Sequence, residues 1–171
     1  NRAYFVYDGE EDTNLPAYFL IMPKSSLDTL INNLWYRTYY DAALVVEGKV
    51  YDHIGVHYKG QGTRDFSKRS WKIAFNKCEY LRDLSSLDLA MHFPIMQKAV
   101  HDLFWTVGEE NVATELVRLY RSGYWPPNVI QPEIGFGFYG VYLAQESPDR
   151  SWMKKHGYDE NRDEIFKTAA T

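Results

Sequence analysis

One hundred and seventy-one residues, 45% apolar and 25% charged, suffice for one globular domain with its own core, so bulk disorder is excluded. Nineteen basic against 23 acidic side chains leave a net charge of −4, which excludes general nucleic-acid binding because phosphate neutralisation needs a basic excess. A single cysteine, Cys78, excludes an intrachain disulfide and a thiolate zinc cluster. The longest apolar runs, 17–22 and 42–46, fall far short of the ~20 residues of a membrane-spanning helix, so no membrane span is expected. The start, Asn1-Arg2-Ala3-Tyr4, has neither an initiator Met nor a secretory leader and reads as that of a fragment or a processed product.

Residues 1–15, with acids at Asp8, Glu10, Glu11 and Asp12, read as a linker or frayed terminus, and 16–171 as a single domain. The run 17–22, closed by Pro23, predicts a buried strand. Ser25 or Ser26 is placed to cap a helix whose positions Leu27, Leu30, Ile31, Leu34 and Trp35 share one face. A hairpin follows: 43–46, a turn at Glu47-Gly48-Lys49, then 50–58, in which Ile54, Val56 and Tyr58 face the core and His53, Gly55 and His57 do not. A loop over 59–70 leads to a strand at 71–75. The spacing of Ile95, Met96, Ala99, Val100, Leu103, Phe104 and Val107, which share one face, predicts a helix over 95–107 with Gly108 as its stop. Strands are expected at 116–120 and 138–145, separated by a loop over 122–137 with three prolines and three glycines. A short helix near Pro148 and a last strand at 164–168 complete the chain. The class expected is α+β: an antiparallel sheet with a few helices packed against one face, without the βαβ rhythm of a parallel sheet.

The loop Lys59-Gly60-Gln61-Gly62-Thr63-Arg64-Asp65-Phe66-Ser67-Lys68-Arg69-Ser70 and the strand Trp71-Lys72-Ile73-Ala74-Phe75 gather five cations against one acid in an otherwise acidic chain. Gly60 and Gly62 permit a backbone whose N–H groups point at an anion, and Thr63, Ser67 and Ser70 add hydroxyl donors. Such a set suits a polyphosphate. If Trp71, Ile73 and Phe75 face the core, Lys72 and Ala74 face the other way together, a cation beside room for a flat base. A solvated hairpin edge is the alternative reading of the same charges.

Tyr58-Lys59-Gly60-Gln61-Gly62-Thr63-Arg64 followed by Lys68-Arg69-Ser70-Trp71-Lys72-Ile73-Ala74-Phe75 resembles the signature of the spore-coat CotH kinase-like family. Val100-His101-Asp102-Leu103-Phe104 with Gly108 is similar to that family's helix. Phe138-Tyr139-Gly140-Val141-Tyr142-Leu143-Ala144-Gln145-Glu146 with Asp149 is similar to its next strand and exit acid, and Ile165-Phe166-Lys167 to its final strand. The resemblance spans 18–167. It implies the N-terminal lobe of a protein-kinase-like fold and an atypical protein kinase that uses ATP with Mg or Mn on a coat or surface protein, at the spore coat or cell exterior. By resemblance Gly60, Gly62, Thr63, Arg64 and Lys68 lie near the phosphates, Lys72 holds them from the strand, and Glu146 lies near the base. The chain departs from the pattern in having Gln97 and Lys98 where an acid is expected to pair with Lys72, Asp102 being the helix's one acid. It also ends at Thr171, right after the matching final strand, so the second lobe with its catalytic aspartate is expected to be missing and no catalytic residue is assigned. A non-catalytic coat or adhesion module, or a carbohydrate-binding module stacking sugars on Trp125, are the rival functions.

Other constellations carry less. His53 and His57 lack a third zinc ligand nearby. Asp159, Asn161 and Asp163 open like a calcium loop, but Glu164 and Ala170 occupy its required glycine and glutamate positions. Cys78 has no neighbouring base and reads as a buried or idle thiol. Glu109-Glu110 reads as a solvated pair, and Tyr39, Tyr40 and Trp152 are weaker sugar-stacking sites than Trp125.

Overall fold

The tight turn at Glu47 and Gly48 sets the first pairing of the fold. Both residues have positive φ, 52° and 75°, the geometry that lets a two-residue turn follow the twist of its strands. It joins β2 (Tyr40–Val46) to β3 (Lys49–Lys59) as the expected hairpin. The structure, a computed structural model, describes residues 14–60, 62, 64–122, 136–159 and 162–164.

Around this hairpin the described strands close a barrel in the order β1-β2-β3-β4-β5-β7-β6. The remaining strands are β1 (Ala17–Ile21), β4 (Ser70–Ala74), β5 (Ser86–Ala90), β6 (Thr114–Ser122) and β7 (Phe136–Glu146). All neighbours are antiparallel except β1 and β6, which run parallel with Tyr18 opposite Leu119. Inward positions supply the core: Tyr18, Leu20, Leu44, Ile54, Val56, Tyr58, Trp71, Ile73, Leu89, Leu119 and Tyr142 are all but sealed from solvent. Each large apolar side chain so buried contributes roughly 1.5–3 kcal/mol.

This corrects the expected α+β, kinase-lobe-like antiparallel sheet. The fold is a mostly β closed barrel of mixed pairing, with three short helices among the described residues: α1 (Lys24–Asn32), α2 (Pro94–Thr106) and α3 (Arg150–Lys155). Two links were out of reach of local pattern. β5 is five residues long and carries Asp88 at its centre, so it forms no apolar run. The β1–β6 closure joins residues about a hundred positions apart, which periodicity does not report.

The helices also depart from expectation in what they bury. α1 forms, but its N-cap is Pro23 without a side-chain cap, Ser25 and Ser26 fall inside the first turn, and only Leu27 and Leu30 are buried. α2 forms at the expected place and lies beside β6 and β7, yet none of its residues is buried. Its polar positions Gln97, Lys98 and His101 are the half-covered ones, while Ile95, Met96, Val100, Leu103 and Phe104 are exposed. Spacing established that one face is apolar; it did not establish what covers it. α3 is capped by Asp149, whose Oδ1 accepts from Ser151 N at 2.8 Å and Trp152 N at 3.1 Å. Ser122 and Phe136, at the two ends of the proline-rich loop, pair across β6 and β7. Residues 123–135, with Trp125, and most of the strand expected at 164–168 lie outside the described residues. No helix of the described residues is long and apolar enough to cross a membrane.

Candidate functional site

Strand parity puts a polar strip on the outside of the barrel. His57 lies opposite Lys72, and Lys72 opposite Asp88, so three ionisable side chains form a row across β3, β4 and β5. The next row, Gly55, Ala74 and Ser86, is made of small residues. Trp71 and Ile73 point into the core between them.

Above this strip a cleft of about 410 Å³ is lined by Arg37, Tyr39, His57, Lys59, Gly60, Arg64, Lys72, Asp88, Ser147 and Pro148. Lys72 Nζ donates to Ser86 Oγ at 3.0 Å and to Ser147 Oγ, and stands 3.3 Å from Asp88 Oδ1. Lys59 Nζ pairs with Asp88 Oδ2 at 2.5 Å, and Ser147 Oγ donates to the same oxygen at 3.3 Å. Asp88 is only 2% exposed, yet its Oδ1 has the Lys72 charge nearby and no well-aligned hydrogen bond. Ser86 in turn donates to Asp149 Oδ2 at 2.6 Å, tying the cleft floor to the cap of α3.

Desolvation sets the charge behaviour of the cleft. Burial pulls the Lys72 ammonium below its ordinary value, and Lys59 adds to the fall while Asp88 opposes it. Burial, and then the charges of Arg64 and Lys72, lower His57, so its imidazole is neutral at pH 7. Its Nδ1 lies 2.8 Å from Tyr58 O, which assigns the proton to that nitrogen and leaves Nε2 as an acceptor. Burial, and then Arg37, lower Arg64, which stays charged as guanidinium groups do.

The sequence-derived residues do not all converge here. Gly60, Arg64 and Lys72 line the cleft. Arg64 also holds the loop, donating from Nε to Gly60 O at 2.6 Å and from a terminal nitrogen to Leu34 O at 3.0 Å. Gly62 is exposed with open space around it, and Thr63 lies outside the described residues. Lys68 turns elsewhere: its Nζ donates to Val141 O at 2.6 Å and sits 4.5 Å from the Tyr142 ring centroid, over the barrel core. Arg69 does the same over Tyr58 at 5.0 Å. Part of the cationic run thus covers buried tyrosines and is not turned toward a ligand.

Glu146 is on the other face of the sheet, opposite Leu87, and lines a separate small recess with Tyr18 and Lys155. Its carboxylate accepts from Lys155 Nζ at 2.5 Å, Trp152 Nε1 at 2.9 Å, Ala113 N at 3.0 Å and His156 Nε2 at 3.0 Å. Burial pushes this carboxyl up, but those hydrogen bonds outweigh burial and hold it below the usual range. Asp102, the helix acid, pairs with Lys98 one turn away. The partner of Lys72 is Asp88, which sequence reasoning missed along with Arg37, Ser86 and Ser147; it reaches Tyr39 only as a weak sugar-stacking site. The one signal was parity: an acid between Leu87 and Leu89 must face away from the core those leucines enter.

The remaining constellations stay apart. His53 sits exposed in a β-bulge, 3.6 Å from Asp41, while His57 is buried in the cleft. Cys78 is exposed. Glu110 accepts from Tyr158 Oη. No group of three or more His, Cys, Asp or Glu side chains among the described residues is placed to hold a metal.

Comparison with known proteins adds two findings. A family model described as CotH kinase protein matches residues 56–170. The inner spore coat protein H of Bacillus subtilis (strain 168) is 26% identical to this chain over 150 residues, 85% of the chain and 38% of that protein. The chain therefore spans 38% of the length of the curated relative it matches.

Proposed function

This chain belongs to the CotH kinase protein family, and from that premise we propose that its cleft holds the phosphates of ATP in a spore-coat protein kinase acting on coat or surface proteins. The observation that carries the reading is electrostatic. Lys59, Arg64 and Lys72, with Arg37, line one cleft in which Asp88 is the single carboxylate among the described residues.

A polyphosphate gains most where cations are already partly stripped of water and held in place. Lys72 is such a cation: Ser86, Ser147 and Asp88 fix its ammonium before a ligand arrives. Arg64 is fixed by two carbonyls. An arriving phosphate competes with Asp88 for Lys59 and Lys72, so the carboxylate acts as a built-in counterion that yields to the ligand. A divalent ion, Mg or Mn, would arrive on the phosphates, because the cleft itself offers only Asp88, already engaged by two ammonium groups. These groups orient a nucleotide; bond chemistry belongs to residues outside this cleft.

The test is calorimetric titration of the chain with magnesium ATP. Lys72→Ala and Arg64→Ala should each weaken binding about tenfold or more, since each removes a fixed charge-assisted contact. Unchanged affinity in both variants, with folding intact by circular dichroism, refutes the reading.

The outward apolar face of α2 favours a second reading, a non-catalytic coat module in which that face serves assembly. That reading requires magnesium ATP not to bind.

A further inference from the structure

The cationic end of the cleft has no bearing on where a base would rest, and Glu146, on the opposite face of the sheet and ringed by four donors, is closed to one. We propose that Tyr39 is the stacking platform for the flat base of the nucleotide, an assignment that rests on the phosphate reading of the same cleft.

Three observations converge on this ring. Tyr39 lines the cleft together with Lys59 and Lys72 and is 47% exposed, so one of its faces is open to a ligand. Its position is set from below: a Cβ on Gly55 would come within 3.0 Å of Tyr39 Cβ and Cδ1, so the ring rests where glycine leaves space. It is set from the side by the His57 ring, edge-on at 4.7 Å and 69°. Among the described residues no ring stacks face to face on Tyr39, whereas the half-buried Trp152 already carries His156 and Tyr158 against it.

The floor beside Tyr39 supports the same conclusion. Ala74 and Ser86 continue the row that begins at Gly55, and neither extends beyond a hydroxymethyl group. Ser86 is buried against Asp149 and neither it nor Ala74 lines the cleft, so the row offers no second platform and Tyr39 carries the base, with the phosphates directed along the strand toward Lys72 and Lys59, one and two rows on. Base–aromatic stacking needs only a π face, and a ring already positioned loses little entropy on binding. A cleft of about 410 Å³ is within the usual range for a ligand of this size.

The experiment compares two probes on the intact chain: magnesium ATP and inorganic tripolyphosphate, each by calorimetric titration. Tyr39→Ala should weaken ATP binding about tenfold and leave tripolyphosphate within about twofold, because stacking serves only the base. Tyr39→Phe should bind both as the unaltered chain does, and Gly55→Val, which evicts the ring, should repeat the selective loss. If Tyr39→Ala leaves ATP affinity unchanged, or weakens both probes equally, the platform is overturned. In that case Lys72→Ala still decides the phosphate reading separately: weakened tripolyphosphate binding upholds it. Failure of tripolyphosphate and ATP to bind the unaltered chain overturns both.

Discussion

Asp88 and Glu146 are two carboxylates at the same depth on neighbouring strands, 2% and 3% exposed, and they do opposite things. Glu146 has both oxygens filled, by Lys155 on one and by Ala113 N, Trp152 and His156 on the other. Asp88 has one oxygen paired with Lys59 and the other lying near Lys72 without a well-aligned bond, in a wall shared with a cationic cleft. Burial alone therefore says nothing about role. What separates a structural pin from a displaceable counterion is the hydrogen-bonding capacity left over, and which side of the sheet it faces.

The comparison breaks most decisively at Glu146. Glu146→Gln should destabilise the chain by about 3 kcal/mol, since it strands Lys155 and reduces the acceptors for three further donors. Urea unfolding measures this. The pH dependence carries the same information. The folded-state value of Glu146 lies below its ordinary 4.5, so its contribution is complete above that pH and is lost as pH falls through the lowered value. The variant should lose part of that acid limb, leaving the share due to Asp149, which is lowered too by Ser151 and Ser86 against the effect of burial.

Asp88→Asn should act in the opposite sense on binding. It costs about 1–2 kcal/mol of stability, because two ammonium groups lose a counterion while both remain within reach of water or hydroxyls. Yet it should raise tripolyphosphate affinity several-fold, since the phosphates no longer compete with a carboxylate. A fall in affinity would make Asp88 a positioning group and not a counterion, and would bring it closer to Glu146 in kind.

The sequence made the local parts of this contrast legible and hid the long-range ones. The hairpin at Glu47-Gly48, the outward facing of Lys72 and Ala74, and the positions of α1, α2 and α3 follow from turn chemistry, parity and spacing. The barrel closure does not, because β1 and β6 meet across about a hundred residues. Nor does the partner of Lys72: the family resemblance points to an acid on α2, and the acid lies instead on β5, whose central Asp88 breaks the apolar run that would mark a strand. In sequence the cationic loop is one continuous run, but in the fold its cations divide. Arg64 turns into the cleft, while Lys68 and Arg69 cover Tyr142 and Tyr58, a division set by ring positions on β7 and β3 that no loop sequence contains. α2 shows the same limit in reverse, its apolar stripe correctly identified and turned away from the barrel.

The smallest effect expected is also the most selective. Lys59 and Lys155 make ion pairs of equal length, 2.5 Å, to Asp88 and Glu146, and both side chains are partly exposed, at 40% and 32%. Distance and exposure taken alone predict equal losses on truncation. The surroundings predict otherwise: without Lys59, Asp88 keeps Lys72 and the Ser147 hydroxyl on the same side of the sheet. Lys59→Met should therefore cost at most about 0.5 kcal/mol, the range of a solvent-screened pair. Its Glu146 counterpart, Lys155→Met, leaves Oε1 of a buried carboxylate without its one donor and should cost about 1–2 kcal/mol. Equal losses in parallel urea titrations would mean that the open side of Asp88 is as tightly satisfied as Glu146, and the cleft would then have no displaceable charge to offer a phosphate.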